Sequence, residues 1–426
     1  MANGETVMTM TTQMGWADRQ ARRVLLALLS KLQFGRLTLL EHGSLVATFG
    51  EADQDTDLHA EVNVLHPSFY RRMLFGGSIA SGELYVDNHW ETPDLTTVIR
   101  VFARNLPALD AFEAKFTWLT LPLQKFQHWR RSNTKVRAKE NISAHYDLGN
   151  QLYKSFLDQR LQYSSAVYPS PDASLEEAQT YKLKRLCDAL DLQPTDHLVE
   201  IGTGWGGLAL YAAQHYGCQV TTTTISEEQY SYTQELVAAH GLQDKITLLK
   251  QDYRDLTGQY DKLVSVEMIE AVGEKFMPAF FSKCSELLKP NGIMALQAIT
   301  IADQRLRSYA DGVDFIQKHI FPGGFLPSIQ LMSDMFTRHT NMVMRAVSDI
   351  GLDYANTLQD WFERFNRQTK SLQAYGYDDR FARLWNYYLC YCEGGFRERT
   401  ISAVQLVATK PSCRAPLKGF ANCAKD

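Results

Sequence analysis

The 426-residue chain carries 44 basic and 48 acidic side chains, a net charge of −4, with 45% hydrophobic and 22% charged residues. That length allows two domains with ample core, and the near balance of charge excludes a chain built around a nucleic-acid field, so no nucleic-acid partner is expected. No apolar run reaches the ~20 residues that span a bilayer, Met1 to Met14 lacks the apolar core of a signal peptide, and the irregularly spaced cysteines, with Cys390 and Cys392 the one close pair, make a poor metal or disulfide pattern; a cytoplasmic protein with reduced thiols and no metal is expected.

Met1 to Met14 is polar and reads as disordered. Trp16 to Phe34 places Ala21, Val24, Leu25, Leu28 and Leu32 at helical spacing, with Arg19, Arg22, Arg23 and Lys31 elsewhere. Such a helix suits either a membrane surface or packing within its own domain. Arg36 to Leu40 and Ser44 to Phe49 form a hairpin across Glu41-His42-Gly43, and Leu58 to Val64 is a third strand. His66-Pro67-Ser68-Phe69 starts a helix that Gly76-Gly77 breaks. Glu83 to Val86 reads as a short strand and Leu95 to Ala103 as a helix. Residues 1–124 thus form a small α+β domain without a catalytic cluster.

Residues 125–141 form a basic joint. Lys125, Arg130, Arg131, Lys135, Arg137 and Lys139 occur there with Phe126 and Trp129, as in a solvated linker or a segment that settles on an anionic membrane.

From Ile142 the pattern changes. Helices at Gly149 to Leu157 and Leu175 to Leu190 precede strands at 198–201, 219–223, 246–249, 262–266 and 293–299, with helices at 208–216, 227–240 and 276–288 between them. This alternation predicts a parallel sheet covered on both faces. Lys289-Pro290-Asn291-Gly292 reads as a turn into the fifth strand, and 303–350 as an inserted helical cap. Asp353 to Phe365 and Phe381 to Phe396 read as helices, and Ile401 to Ala408 as a late strand. The catalytic domain is expected to run from 142 to 426.

The chemistry centres on Glu200-Ile-Gly-Thr-Gly-Trp-Gly-Gly207, a strand, a glycine turn and a helix start. Gly202, Gly204 and Gly206 free the backbone to approach a ligand at a helix N-terminus. A dinucleotide site expects an acid at the end of the second strand to hold the ribose. Thr224-Ile225-Ser226 stands there instead, and the acid, Glu200, precedes the glycines. That placement resembles motif I of class I S-adenosylmethionine methyltransferases, where the acid helps position the methionine end of the cofactor. Thr224, Ile225, Ser226 and Gln229 form a second loop able to hydrogen-bond a ribose, although Ser226 also reads as a helix N-cap. Tyr253 and Arg254 follow the third strand, where such enzymes hold adenine.

Several motifs in order carry a more specific resemblance: His145-Tyr-Asp-Leu-Gly-Asn150, Gln162-Tyr-Ser-Ser-Ala166, the glycine turn, Thr-Ile-Ser-x-x-Gln (224–229), Gln-Asp-Tyr-Arg-Asp-Leu (251–256) and Ile-Phe-Pro-Gly-Gly-x-Leu-Pro-Ser (320–328). Over about 142–410 the chain resembles the cyclopropane fatty acid synthases. The resemblance implies a seven-stranded, doubly wound, Rossmann-like class I methyltransferase sheet with a helical cap, beside the small N-terminal domain. It implies transfer of a methyl group from S-adenosylmethionine to a cis double bond in a membrane phospholipid, with Tyr163 and Ser164 at the cofactor. It further implies peripheral association with the inner membrane surface, and a homodimer would join two membrane patches by avidity.

The family resembled binds a bicarbonate ion between a cysteine, a glutamate, a histidine, an isoleucine backbone and a tyrosine. Carried across by motif, the glutamate falls on Glu270, the backbone on Ile299 and the tyrosine on Tyr354. Ser165 stands in place of the cysteine, Gln297 in place of the histidine, and Ala271 where the family commonly has histidine. Ser165 and Gln297 can still hydrogen-bond an anion, which leaves bicarbonate open, but Gln297 cannot relay a proton. Methyl transfer is expected to persist, while the product is left open between a cyclopropane and a methyl-branched or methylene chain. Two other readings stand beside it: a small-molecule or amine methyltransferase, against which no Asn/Asp-Pro-Pro-Tyr follows the fourth strand, and an inactive protein that binds cofactor or lipid.

Overall fold

A computed structural model describes residues 14–51, 58–106 and 149–418. The expectations for the N-terminal tail, the basic joint and the His145–Leu148 part of the first motif lie outside the described residues. The chain divides into two compact units, one of Met1–Gln124 with Thr369–Glu398, the other of Lys125–Gln368 with Arg399–Asp426. The catalytic domain expected at 142–426 is therefore interrupted.

In the first unit α1 (Trp16–Leu29) is followed by β1 (Arg36–Glu41), β2 (Ser44–Phe49) and β3 (His59–Val64), then α2 (Phe69–Val86), β4 (Trp90–Glu91) and α3 (Leu95–Arg104). The sheet order is β2-β1-β3-β4, with β1 antiparallel to β2 and parallel to β3. His42 and Gly43, both at positive φ, make the two-residue turn of the hairpin, whose twist matches that of its strands. The strand expected at Glu83–Val86 is instead the end of α2, which continues past a kink at Gly77. Buried Leu84 and Val86 supply apolar packing in helical form, overriding the β preference of Leu-Tyr-Val.

The helix Asp379–Arg397 belongs to this unit because its residues bond here. Thr96 donates to Glu393 at 2.8 Å, Arg100 and Arg104 both donate to Glu398, and Tyr387 lies 2.6 Å from the Ser81 hydroxyl. Gly394 allows the closest approach, since a Cβ there would stand 2.6 Å from Ile99 Cγ2.

In the second unit α4 (Asn150–Phe156) and α5 (Leu175–Ala189) precede β5 (His197–Ile201), α6 (Gly207–Tyr216), β6 (Gln219–Thr224), α7 (Glu227–Ala239), β7 (Ile246–Lys250), β8 (Tyr260–Val266), α8 (Met277–Leu287) and β9 (Leu288–Ile301). Then come α9 (Leu306–Ala310), α10 (Phe315–His319), α11 (Ile329–His339), β10 (Val343–Asp349), α12 (Gly351–Gln373) and β11 (Ile401–Thr409). The seven strands lie in the order β10-β11-β9-β8-β5-β6-β7. β7, β6, β5, β8 and β9 run parallel, and β11 is antiparallel to both β9 and β10. This is the expected doubly wound sheet, and the order reverses at β5, where open α/β sheets bind ligands.

Two details differ from expectation. The cap expected over 303–350 is helical through α9, α10 and α11 but ends in β10, an edge strand whose exposure alternates residue by residue. The turn expected at 289–292 lies within β9, and Leu288 already pairs with Tyr260 across a register shift. Among the described residues no helix is long and apolar enough to cross a membrane, and no cluster of His, Cys, Asp and Glu could hold a metal.

Replacing Gly394 by valine overpacks the contact with Ile99, and the unit of residues 1–124 and 369–398 is expected to lose about 1–3 kcal/mol. A lowered denaturant midpoint checks this, and an unchanged midpoint would show that the contact yields freely.

Candidate active site

The site gathers at the C-terminal ends of β5, β6, β7 and β8. After Ile201 the chain turns through Gly202, Gly204 and Gly206, all at positive φ, before entering α6. The N–H groups of Gly202 and Thr203 both donate to Thr223 O, at 3.2 and 3.0 Å, tying the turn to β6. Gly207 leaves room for Gln162, whose Nε2 would stand 2.2 Å from any Cβ.

In front of the turn lies a cavity of about 1190 Å³ free of protein atoms, its mouth included, lined by Tyr163, Ser164, Glu200, Gly202, Gly204, Thr224, Ile225, Gln229, Tyr253 and Arg254 together with Glu267 and Met268. Two residues expected at the cofactor are not part of this lining. Gly206 is the left-handed N-cap of α6, and the Ser226 hydroxyl accepts the Gln229 N–H as the N-cap of α7. Thr224 Oγ1 donates to Gln229 Oε1 at 2.9 Å, and Asp252 grips the Arg254 guanidinium at 2.8 and 2.6 Å.

Buried Glu200 forms the floor. Its carboxylate accepts from Thr222 Oγ1 at 2.6 Å, and burial pushes its pKa up to about 8 against the pull of Thr222 and Lys182. Lys182 is fully buried, and its Nζ donates to Ser164 Oγ at 2.8 Å and Gln162 Oε1 at 3.0 Å. Burial lowers its pKa to about 8, opposed by the charges of Glu267, Asp158 and Glu200. The segment 162–165 is thus pinned from beneath, and Gln179 adds a bond to Ser164 O at 2.9 Å.

The residues expected to surround bicarbonate converge, but on another partner. Glu267 Oε1 accepts from Ser165 N at 2.9 Å and Gln297 Nε2 at 2.8 Å, while Oε2 accepts from Tyr354 OH at 2.9 Å. Ser165 contributes its backbone, because its hydroxyl donates to Ala166 O at 2.8 Å. Gln297 Oε1 accepts from Gln405 Nε2 at 2.9 Å, which turns its amide nitrogen toward Glu267. Ile299 N donates instead to Glu270 Oε1, and Glu270 Oε2 is buried without a hydrogen-bond partner among the described residues. Burial, then the charge of Glu267, raises the Glu270 pKa to about 8. Burial raises that of Glu267 too, opposed first by Gln297 and then by Ser165, Lys182 and Tyr354.

Glu267 was not expected at the site from the sequence. It follows β8 directly and adopts φ +50, a left-handed conformation that costs a non-glycine residue roughly 1–2 kcal/mol. The legible signal was a second acid three residues before Glu270. Lys182, Gln405 and the aromatic wall were missed as well. In that wall Tyr163 lies 5.3 Å from Tyr153, 5.3 Å from Trp361 and 6.3 Å from Phe321, ring centre to ring centre, and Trp361 lies 6.1 Å from Tyr354.

The family model described as mycolic acid cyclopropane synthetase matches residues 133–406. The chain belongs to that family. It is 37% identical over 370 residues to a tuberculostearic acid methyltransferase of Mycobacterium tuberculosis, covering 85% of this chain and 86% of the relative. It is 38% identical over 352 residues to the cyclopropane-fatty-acyl-phospholipid synthase of Escherichia coli, covering 82% and 88%. Among solved structures it is similar to the cyclopropane synthase MmaA2 of Mycobacterium tuberculosis, with a TM-score of 0.60 and 27% identity over 64% of this chain and 98% of that one. The mycolic acid cyclopropane synthase CmaA1, complexed with SAH and CTAB, gives a TM-score of 0.60 at 29% identity, with the same coverage. The chain is a methyltransferase dependent on S-adenosylmethionine. Its cavity suits that group, because the backbone is bare of Cβ atoms at Gly202 and Gly204, a buried carboxyl lies below and polar loops flank it.

Glu200 binds a proton in the folded chain up to about pH 8, which the unfolded chain releases near the ordinary glutamate value. Its stabilising share is therefore full at low pH and is lost as pH rises toward 8. Glu200→Gln is expected to match the parent at pH ~4.3 and to exceed it by up to about 5 kcal/mol at pH ~8. Parallel stability curves for the two proteins would show that Glu200 is ionised throughout.

Proposed function

We propose that this methyltransferase adds one carbon to the cis double bond of an unsaturated acyl chain in a membrane phospholipid. The observation that carries the reading is a paired carboxylate site, Glu267 with Glu270, beside aromatic faces and at the edge of the glycine-turn cavity. The activities named for the relatives, a cyclopropane-fatty-acyl-phospholipid synthase and a tuberculostearic acid methyltransferase, support the same substrate class.

S-adenosylmethionine supplies, when bound, an electrophilic methyl group. Glu200, the glycine turn, Thr224, Gln229 and Tyr253 would hold it. An alkene is a weak nucleophile, so the chain's own contribution is alignment and the exclusion of water. The positive charge left on the acyl chain needs electron-rich faces and a nearby anion, and must not meet a nucleophile that traps it. Tyr163, Trp361, Phe321 and Tyr354 supply the faces. With Glu270 holding a proton to about pH 8, the carboxylate pair is kept from carrying two negative charges at neutral pH.

The charge is discharged by loss of a proton. Loss from the added carbon closes a cyclopropane, whereas loss after a hydride shift leaves a methylene or methyl-branched alkene. Neither Gln297 nor Ala271 can relay a proton, so in either outcome a carboxyl of the pair must take it directly.

Incubation with S-adenosylmethionine and vesicles of monounsaturated phospholipid is expected to add one CH₂ unit per modified acyl chain, and fragmentation then separates ring from branch. Glu267→Gln, which removes the carboxyl of the pair that lines the cavity, is expected to slow turnover by ~10²-fold or more while sparing cofactor binding. No mass gain from any unsaturated lipid, with the cofactor bound, would overturn the reading.

A further inference from the structure

The site has an anion seat, and the chain fills it. Bicarbonate would need the Ser165, Gln297 and Tyr354 donors together, yet all three are spent on Glu267. The Gln297 amide cannot swing away to serve a second anion, because Gln405 holds its oxygen and its nitrogen also reaches Ser165 O at 3.1 Å. The donors present therefore do not fit a free bicarbonate ion.

We infer that Glu267 is itself the proton acceptor of the reaction, a tethered carboxylate in place of a bound bicarbonate. This rests on the reading of the chain as an alkene methylase. A carboxylate oxygen has about two lone-pair sites. Oε1 uses both, on Ser165 and Gln297, whereas Oε2 uses one on Tyr354 and keeps the other. Glu267 also lines the cavity in front of the glycine turn, which places it where the chemistry occurs. In ring closure a C–H bond of the added carbon breaks. Its proton goes to Oε2, and its electron pair forms the bond to the neighbouring cationic carbon. Glu270, neutral at pH 7 beside it, keeps the pair from carrying two charges. The missing histidine relay is then of no consequence, since the base needs no proton shuttle to reach the substrate.

The backbone offers a clean test. Glu267 sits at φ +50, where glycine is unstrained, so Glu267→Gly empties the seat without opposing the fold. The parent enzyme is expected to turn over equally in carbonate-free buffer and in millimolar bicarbonate. Glu267→Gly is expected to lose ~10²-fold or more in carbonate-free buffer and to regain at least ~10-fold with formate or bicarbonate. Those anions should also raise the melting temperature of Glu267→Gly and leave that of the parent unchanged. Glu267→Gln, which fills the seat without charge, should be inactive and refuse rescue. A parent that needs bicarbonate, or a Glu267→Gly that keeps full rate without an anion or is rescued by none, would overturn the inference. A parent that methylates no lipid, while anions still stabilise Glu267→Gly, would remove the functional reading and leave the seat standing.

Discussion

A carboxylate taken out of water must be met by donors, and that requirement organises the heart of this chain. Glu267 reaches its place only because β8 ends in a left-handed residue, which turns the side chain into the site. Once there it draws in the backbone after Tyr163-Ser164, an amide from β9 and a hydroxyl from α12. Segments distant in sequence are held at one point, where desolvation would otherwise make the charge expensive. Buried Lys182 answers the same need from below, offsetting the acidic charge while tying Gln162 and Ser164 together.

Much of the fold was legible because its signals are local. Alternating apolar runs and amphipathic stretches marked β5 to β9 and their helices, and the glycine turn announced where the sheet would bind. The misreadings have physical causes. Leu84-Tyr85-Val86 has the composition of a strand, but tertiary packing beyond the Gly77 kink holds it as helix. β10 alternates exposed and half-buried positions, as an edge strand should, but its residues Val-Met-Arg-Ala-Val-Ser-Asp do not alternate apolar with polar, so no strand pattern marks it. The place of Asp379–Arg397 beside the N-terminal residues depends on contacts such as Gly394 with Ile99, which no local pattern encodes.

At the site the same division holds. Glu200, Gly202, Gly204, Thr224 and Tyr253 follow from their positions after successive strands, and the structure gathers them around one cavity. Ser226 and Gly206 were read as ligand contacts from the same motif logic, yet each serves as a helix cap. The resemblance drew attention to Ser165, Gln297, Ile299, Tyr354 and Glu270 as a shell around an ion. What the shell surrounds could not be read from it, because Glu267 declares its direction only through its φ angle.

The pairing of Gln405 with Gln297 has a further consequence for how the chain matures. β11 is the last strand in sequence among the described residues, yet it lies between β9 and β10, with Gln405 directly opposite Gln297 in the ladder. The glycine turn and its flanking loops are complete long before that strand leaves the ribosome. The amide that greets the Glu267 carboxylate gains its fixed orientation only when β11 slides into the gap. The order of the chain thus separates the loops that face the cavity from the strand that fixes the donor geometry around Glu267.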